Sequence, residues 1–215
     1  KCKPVVVNNA TWYNPIEPSL TYPNKIRMIH HGGATVSRNL ENMIEMMRYL
    51  DDRFTLDLML VVPEIASSKT KNYINHLKNI AINDPRIKFI PPVKSNDVVN
   101  FINRYDIGII LIPPVNFNYA NGLPNKLFEF IQAKLAVATG PIPEVAQIVN
   151  TFSLGVVSED FTAKKLADKL LAITDVELIT LKKNSAKAAT SLSAENNSIL
   201  LNDIITEVLV RKIEA

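Results

Sequence analysis

From residue 25 onward, short apolar runs and amphipathic stretches take turns along this chain. Residues 26–31, 56–62, 87–90, 107–112, 136–139 and 155–157 are apolar, too short for helices, and predict strands. Residues 38–50, 69–82, 97–104, 143–149 and 162–173, with a run opening near Pro124, predict the helices between them. In the first of these helices Leu40, Ile44 and Met47 share one side. Strands that alternate with helices are joined by right-handed crossovers. The predicted fold class is therefore α/β, a Rossmann-like doubly wound parallel sheet of about six strands with helices on both faces.

Both ends of the chain depart from this rhythm. Pro4, Pro15, Pro18 and Pro23 punctuate residues 1–24, where Val5, Val6 and Val7 are the only strand candidate. At the other end, residues 175–191 and 194–212 predict helices with no strand between them. The last helix carries Ile199, Leu200, Ile204, Ile205, Val208 and Leu209 on an apolar face. The expected organisation is an interdomain connector over 1–24, a ligand-binding Rossmann-like domain over 25–175, and C-terminal helices over 176–215. Those helices pack on the domain or reach back to a domain encoded upstream.

Composition narrows the function classes. A chain of 215 residues with 47% hydrophobic content has enough apolar material for a sizeable core. Its apolar segments are too short to span a membrane, and Lys1-Cys2-Lys3-Pro4 lacks a signal-peptide pattern. The single cysteine, Cys2, leaves no internal disulfide and no cysteine-based metal cluster. A net charge of +3 is too small to argue for nucleic acid and allows only a mild attraction to anionic lipid. The expected location is cytoplasmic, with peripheral contact at the inner face of the membrane as a further option, and no metal or cofactor is expected.

In a doubly wound sheet of order 3-2-1-4-5-6, ligands sit beyond the carboxyl ends of the first and fourth strands. Two loops fall there. The first is His31-Gly32-Gly33-Ala34-Thr35-Val36-Ser37-Arg38-Asn39, and the second runs from Asn118 through Gly122, Pro124 and Asn125 to Glu129. Gly32, Gly33 and Gly122 permit close backbone approach, Pro124 and Asn125 read as first-turn residue and cap, and a helix N-terminus favours an anion. At about 100° per residue, Lys126, Glu129 and Ala133 form a stripe facing away from Leu127, Phe130 and Ile131. Lys126 with Arg38 then suits a diphosphate, and Glu129 suits a pair of sugar hydroxyls; the alternative is a plain surface ion pair one turn apart. Gly32-Gly33 lacks the spacing of a nicotinamide fold.

Several other residues are read as structural. His30 and His31 close a strand and read as core or crevice lining. Glu144, just after Pro143, reads as a helix-dipole partner, and Glu41 with Glu45 as a solvated face. Tyr73 and His76 have no partner visible in the sequence.

These pieces resemble the C-terminal, donor-binding domain of a GT-B glycosyltransferase of the retaining group 1, family four type. The similarity lies in His31-Gly32-Gly33 with Ser37-Arg38-Asn39-Leu40-Glu41-Asn42, in Pro124-Asn125-Lys126-Leu127-Phe128-Glu129, and in Gly140-Pro141-Ile142-Pro143-Glu144. It covers about residues 25 to 175. What the resemblance implies is a nucleotide-diphosphate sugar donor, UDP- or GDP-linked. Glu129 would lie on the ribose hydroxyls, Arg38 and Lys126 on the departing diphosphate, Gly33 under the phosphates, and the backbone at Pro92-Val93-Lys94 beside the base. The acceptor, a glycan or lipid-linked molecule in bacterial surface polysaccharide synthesis, would be bound by an N-terminal domain that these residues do not include. The fragment alone would transfer little or nothing.

One position departs from the family pattern of two glutamates separated by seven residues, since Asn121 stands eight positions before Glu129. An amide still hydrogen-bonds a hydroxyl but brings no charge to a developing oxocarbenium ion. A nucleotide-sugar epimerase of the same fold and a non-catalytic Rossmann-like interaction module are the other readings.

Overall fold

A computed structural model describes residues 5–62 and 67–213, so expectations for Lys1 to Pro4, Cys2 included, lie outside the described residues. Six strands form one parallel sheet: β1 (Ile26–Gly33), β2 (Phe54–Val61), β3 (Ile87–Ile90), β4 (Ile107–Ile110), β5 (Ala136–Thr139) and β6 (Gly155–Val157). Their spatial order is β3-β2-β1-β4-β5-β6, the doubly wound order, with the reversal between β1 and β4. Alternate strand residues feed opposite faces, as the period of a pleated strand requires. Met28, Ile107, Ile109, Ala136 and Ala138 belong to one buried cluster, and Ile29, Ile110 and Val137 to the other.

The first cluster is closed by α1 (Glu41–Met46), α2 (Ser68–Ala81) and α7 (Ala163–Leu171). The second is closed by α3 (Val98–Ile102), α5 (Asn125–Gln132) and α6 (Pro143–Thr151). A short helix α4 (Phe117–Asn121) precedes α5, and α8 (Asp175–Ala188) and α9 (Ala194–Ile213) end the chain. The depth at which α5 lies on the sheet is set by a glycine. A Cβ at Gly108, in the middle of β4, would overlap the Phe130 ring. Only a bare backbone lets that fully buried ring lie on the sheet, where it contributes roughly 1.5–3 kcal/mol of burial.

Three local readings are corrected by the structure. Residues 38–50 are not one helix: a 3-10 turn at Val36–Arg38 ends on Asn39 in the left-handed conformation, φ 45°, and α1 starts only at Glu41. Asn tolerates that conformation, and the break places Arg38 outside the helix. The Val5 to Val7 segment is exposed and forms no strand. Nor do Lys126 and Glu129 make a plain surface ion pair, since Lys126 is buried. Lys126, Leu127, Phe128, Phe130, Ile131 and Gln132 are all buried and Ala133 is fully so, leaving Glu129 half-buried and Asn125 exposed.

The cover over α5 comes from both ends of the chain. Gln132 Nε2 donates to Ala189 O at 2.6 Å, just beyond α8, and its Oε1 accepts from the Asn14 amide at 3.0 Å. Asn9 Nδ2 donates to Asn125 Oδ1. Farther down, Lys182 of α8 is buried with Asp106: its ammonium donates to Asp106 Oδ1 at 3.0 Å, to Ser19 Oγ at 2.9 Å and to Tyr105 O at 3.2 Å. Arg27 completes the cluster on Asp106 Oδ2 at 2.9 Å. Such a pair is strongly destabilising to break from one side, because the remaining charge is left buried.

Candidate functional site

The sheet reversal opens a crevice of about 650 Å³, the size of a small-ligand pocket. Its walls include Gly32, Gly33, Arg38, Val93, Gly122, Lys126 and Glu129. Asn121 is not among the lining residues. Its side chain is exposed and Nδ2 donates back to Phe117 O at 3.0 Å, one turn earlier in α4. The sequence presents residues 117–121 as loop; they form a helix because Asn116 caps it, its Oδ1 accepting the Tyr119 amide at 2.9 Å. The cap expected at Asn125 is also displaced: Pro124 occupies the N-cap of α5 and offers no side-chain acceptor.

Two cations meet over Gly32. This residue has φ +127°, open to glycine but strained for other residues, and a Cβ built there would lie 3.1 Å from Arg38 Nη1 and 3.4 Å from Lys126 Nζ. Arg38 Nη1 donates to Gly33 O at 2.7 Å. Its buried Nε has no hydrogen-bond partner among the described residues, and neither has His31 Nε2. Orphaned buried polar atoms are rare in native proteins, and these two sit in the crevice wall.

Lys126 is 6% exposed and donates to His30 Nε2 at 3.2 Å. The tautomer follows from the other side of the ring, where Nδ1 lies 2.9 Å from Ile109 O and must carry the proton. Burial, reinforced by the charge of Lys126, holds His30 well below its usual range, so this imidazole stays neutral. Burial likewise pushes the Lys126 ammonium well down, Arg38 adds to that effect, and Glu129 opposes it. Glu129 is pushed up by burial and drawn back by Lys126. The Lys126 ammonium is thus held in an unfavourable, desolvated state beside a second cation, which an anion would relieve.

His31 belongs to the other face of the strand. It stands edge-on to Phe130, ring centres 5.2 Å apart, with Nε2 at 3.4 Å from Glu129 Oε2. Burial, then Lys126 and Arg38, lower its pKa to about 3, so this is a neutral imidazole beside a carboxylate. At the mouth, Tyr119 of α4 brings its hydroxyl to 3.5 Å from Ser37 Oγ, linking the two loops across the opening. Val61, Val93 and Val98 add apolar side chains to the lining.

Several of these partnerships are invisible in the sequence. His30 and His31 alternate at a strand end, so opposite faces are legible, but the Lys126 and Glu129 contacts depend on the depth of α5. Tyr73, without a visible partner in the sequence, donates to Glu41 Oε2 at 2.6 Å and accepts the Leu40 amide at 2.9 Å. Glu41 is therefore not simply solvated, and His76 Nε2 lies 3.5 Å from its other oxygen. Among the described residues no group of three or more His, Cys, Asp or Glu is placed to hold a metal ion, and no helix is long and apolar enough to cross a membrane.

This architecture, a six-stranded parallel sheet flanked by helices with further C-terminal helices, is one half of a GT-B fold. Many solved glycosyltransferase structures share it. Sucrose-phosphate synthase from Thermosynechococcus elongatus superposes with a TM-score of 0.72 at 13% identity, over 88% of this chain and 47% of that one. HepE of Anabaena, in complex with UDP, gives 0.69 at 15% identity, over 87% of this chain and 49% of the other. The C-terminal domain of a glycosyl transferase group 1 family protein (LpcC) from Francisella tularensis gives 0.61 at 19% identity, over 79% and 86%. The chain spans about half the length of the first two. No protein-family model matches the sequence, and no curated protein matches it.

Proposed function

We propose that this chain is the nucleotide-sugar-binding half of a retaining glycosyltransferase of the group 1 type, acting in bacterial surface polysaccharide or glycan synthesis. The observation that carries the reading is the meeting of Arg38 and Lys126 over Gly32, from two different loops, at the sheet reversal. A donor diphosphate needs such paired positive charge, and more so as it departs. When the anomeric carbon–oxygen bond breaks, negative charge grows on the leaving phosphate, and preorganised cations in a dry site stabilise it. Glu129 accepts from the two ribose hydroxyls, and the apolar side chains of Val61, Val93 and Val98 take the base. Asn118 and Tyr119, which line the mouth, face the donor sugar in this reading in place of Asn121.

Residues 1–24 act as the connector to an acceptor-binding domain outside this sequence, and the C-terminal helices pack on the present domain or reach back to that one. The acceptor is a glycan or lipid-linked molecule, and transfer requires that domain. The protein works in the cytoplasm, with peripheral contact at the inner face of the membrane as a further option. Calorimetric titration of UDP and GDP into the 215-residue chain tests the donor site. Micromolar binding of one of them, abolished in a Lys126→Met, Arg38→Met double variant, is expected. Absence of binding by both, with the fold intact, refutes the reading and favours a non-catalytic module.

A specific observation supports a second reading. A histidine and a carboxylate lie 3.4 Å apart in the crevice, as a nucleotide-sugar epimerase of this fold would need. Incubating UDP-sugars with the protein and no acceptor separates the two, since only an epimerase inverts a ring carbon under those conditions.

A further inference from the structure

Lys126 presents an unusual problem. An ammonium so deeply buried ordinarily has a carboxylate in contact, yet its hydrogen bond here is to an imidazole nitrogen, His30 Nε2 at 3.2 Å. The groups facing Lys126 are His30 from β1, Arg38 from the turn after it, and Glu129 one turn along α5; His31 and Arg38 are the further ionisable neighbours of His30. Arg38 repels the ammonium, and Glu129 attracts it without an ion-pair contact, its carboxylate lying instead beside His31. His30 itself is fixed from behind, since its Nδ1–H is committed to Ile109 O at 2.9 Å on the neighbouring strand. The lone pair on Nε2 therefore has one direction and one recipient.

We propose that His30 is a positioning residue of the diphosphate site, a neutral acceptor locked in one tautomer that holds the Lys126 ammonium over Gly32 in its proton-bearing form. The inference rests on the donor-site reading and deepens it. A carboxylate in the same place would neutralise Lys126 and compete with the phosphate. An apolar residue would leave the buried ammonium without an acceptor and favour loss of its proton. A neutral imidazole avoids both: it stabilises the proton by a charge-assisted bond and leaves the net positive charge available to an anion.

Two substitutions separate this role from a packing role. Asn at position 30 places its amide where Nδ1 was, so it keeps the donation to Ile109 O but does not reach Lys126. Gln reaches as far as Nε2 and offers Oε1 as acceptor. Affinity for UDP, GDP and inorganic pyrophosphate is measured by calorimetry on the full chain from about pH 6 to about pH 9, with Tm alongside. Anion affinity needs protonated Lys126 and falls as pH rises through its pKa.

His30→Asn is expected to weaken binding about tenfold at neutral pH and to move that fall to lower pH, with His30→Gln restoring both towards wild type. In a Lys126→Met background His30→Asn should change affinity less than about twofold, because the two residues act as one unit. Equal pH profiles for wild type and His30→Asn, or an undiminished loss in the Lys126→Met background, would overturn the proposal while leaving the donor site standing. Should His30→Asn not fold, His30→Leu, which removes the acceptor at similar size, carries the same decision: a fall at lower pH that His30→Gln does not show supports the role, and a profile like wild type refutes it. A wild-type chain that binds none of the three probes overturns both this inference and the donor-site reading.

Discussion

Glu129→Gln sets stability against binding at one position. In the unliganded protein the Glu129 carboxylate is desolvated and its pKa is raised above the ordinary value, with burial the larger cause and Lys126 opposing it. A carboxyl whose folded pKa exceeds its unfolded one favours the folded state when protonated. Its contribution is fully present below the unfolded pKa and is lost as pH rises through the folded pKa. At neutral pH, therefore, Glu129 is a cost to the fold, and the uncharged amide removes it. Glu129→Gln should melt at or above the wild-type temperature at pH 7, and the difference should vanish below about pH 4, where both side chains are neutral.

Binding should move the other way. A carboxylate accepting from two ribose hydroxyls gains roughly 1.5–3 kcal/mol from each charge-assisted bond, so Glu129→Ala should weaken nucleotide affinity by at least about tenfold. Glu129→Gln, which keeps one acceptor oxygen, should fall between the two. Titrating UDP and 2′-deoxy-UDP adds a control: wild type should prefer the ribonucleotide and Glu129→Ala should not. If Glu129→Gln destabilises the protein and leaves affinity unchanged, Glu129 is a structural partner of His31 and its ribose role is refuted.

Lys126→Met should weaken pyrophosphate binding by at least about tenfold, with Arg38 keeping the remainder measurable, yet stabilise the unliganded fold. A lysine whose folded pKa is lowered makes the wild type relatively less stable at neutral pH than near pH 10, so the Tm gap between variant and wild type should close as pH rises. Gly108→Ala should cost about 1–3 kcal/mol in denaturant unfolding, because its methyl would overlap the Phe130 ring, and Phe130→Leu in the same chain should recover part of it. Lys182→Met should cost about 1–3 kcal/mol by removing the donor to Asp106 Oδ1, Ser19 Oγ and Tyr105 O, short of a full ion-pair loss because Arg27 still holds Asp106. An unchanged urea midpoint in either case would contradict the packing described.

Where the sequence is legible, it is legible for local reasons. The strands at residues 87–90, 136–139 and 155–157 have the boundaries their patterns predict, since each is a short apolar run between turn residues. The sheet order follows from alternation with helices, and the crevice from that order. The neighbours of α5 are not legible. Helical periodicity marks an apolar side and a polar side, but it does not show that the chain ends return over the helix and hold Gln132, or that Lys126 is buried against His30. The partnership of Lys126 with His30 is a consequence of that depth, itself set by one glycine at position 108. Asn121 departs from its expected place for a smaller reason: the cap at Asn116 winds the loop before it into a turn of helix and directs the amide outward.

The burial of α5 between the sheet and the chain ends also divides the crevice by its tolerance to change. A substitution at Gln132 is felt by both chain ends, and one at Phe130 by the sheet, so drift there is constrained whatever ligand is bound. The mouth is different. Val115 and Phe117 are exposed, and α4 is held by its own cap, by Tyr119 packing against the first cluster and by a long contact to Ser37. Variation among descendants of this chain, and libraries built to alter what it accepts, should concentrate in residues 115–121, where a new side chain reshapes the opening without disturbing the floor.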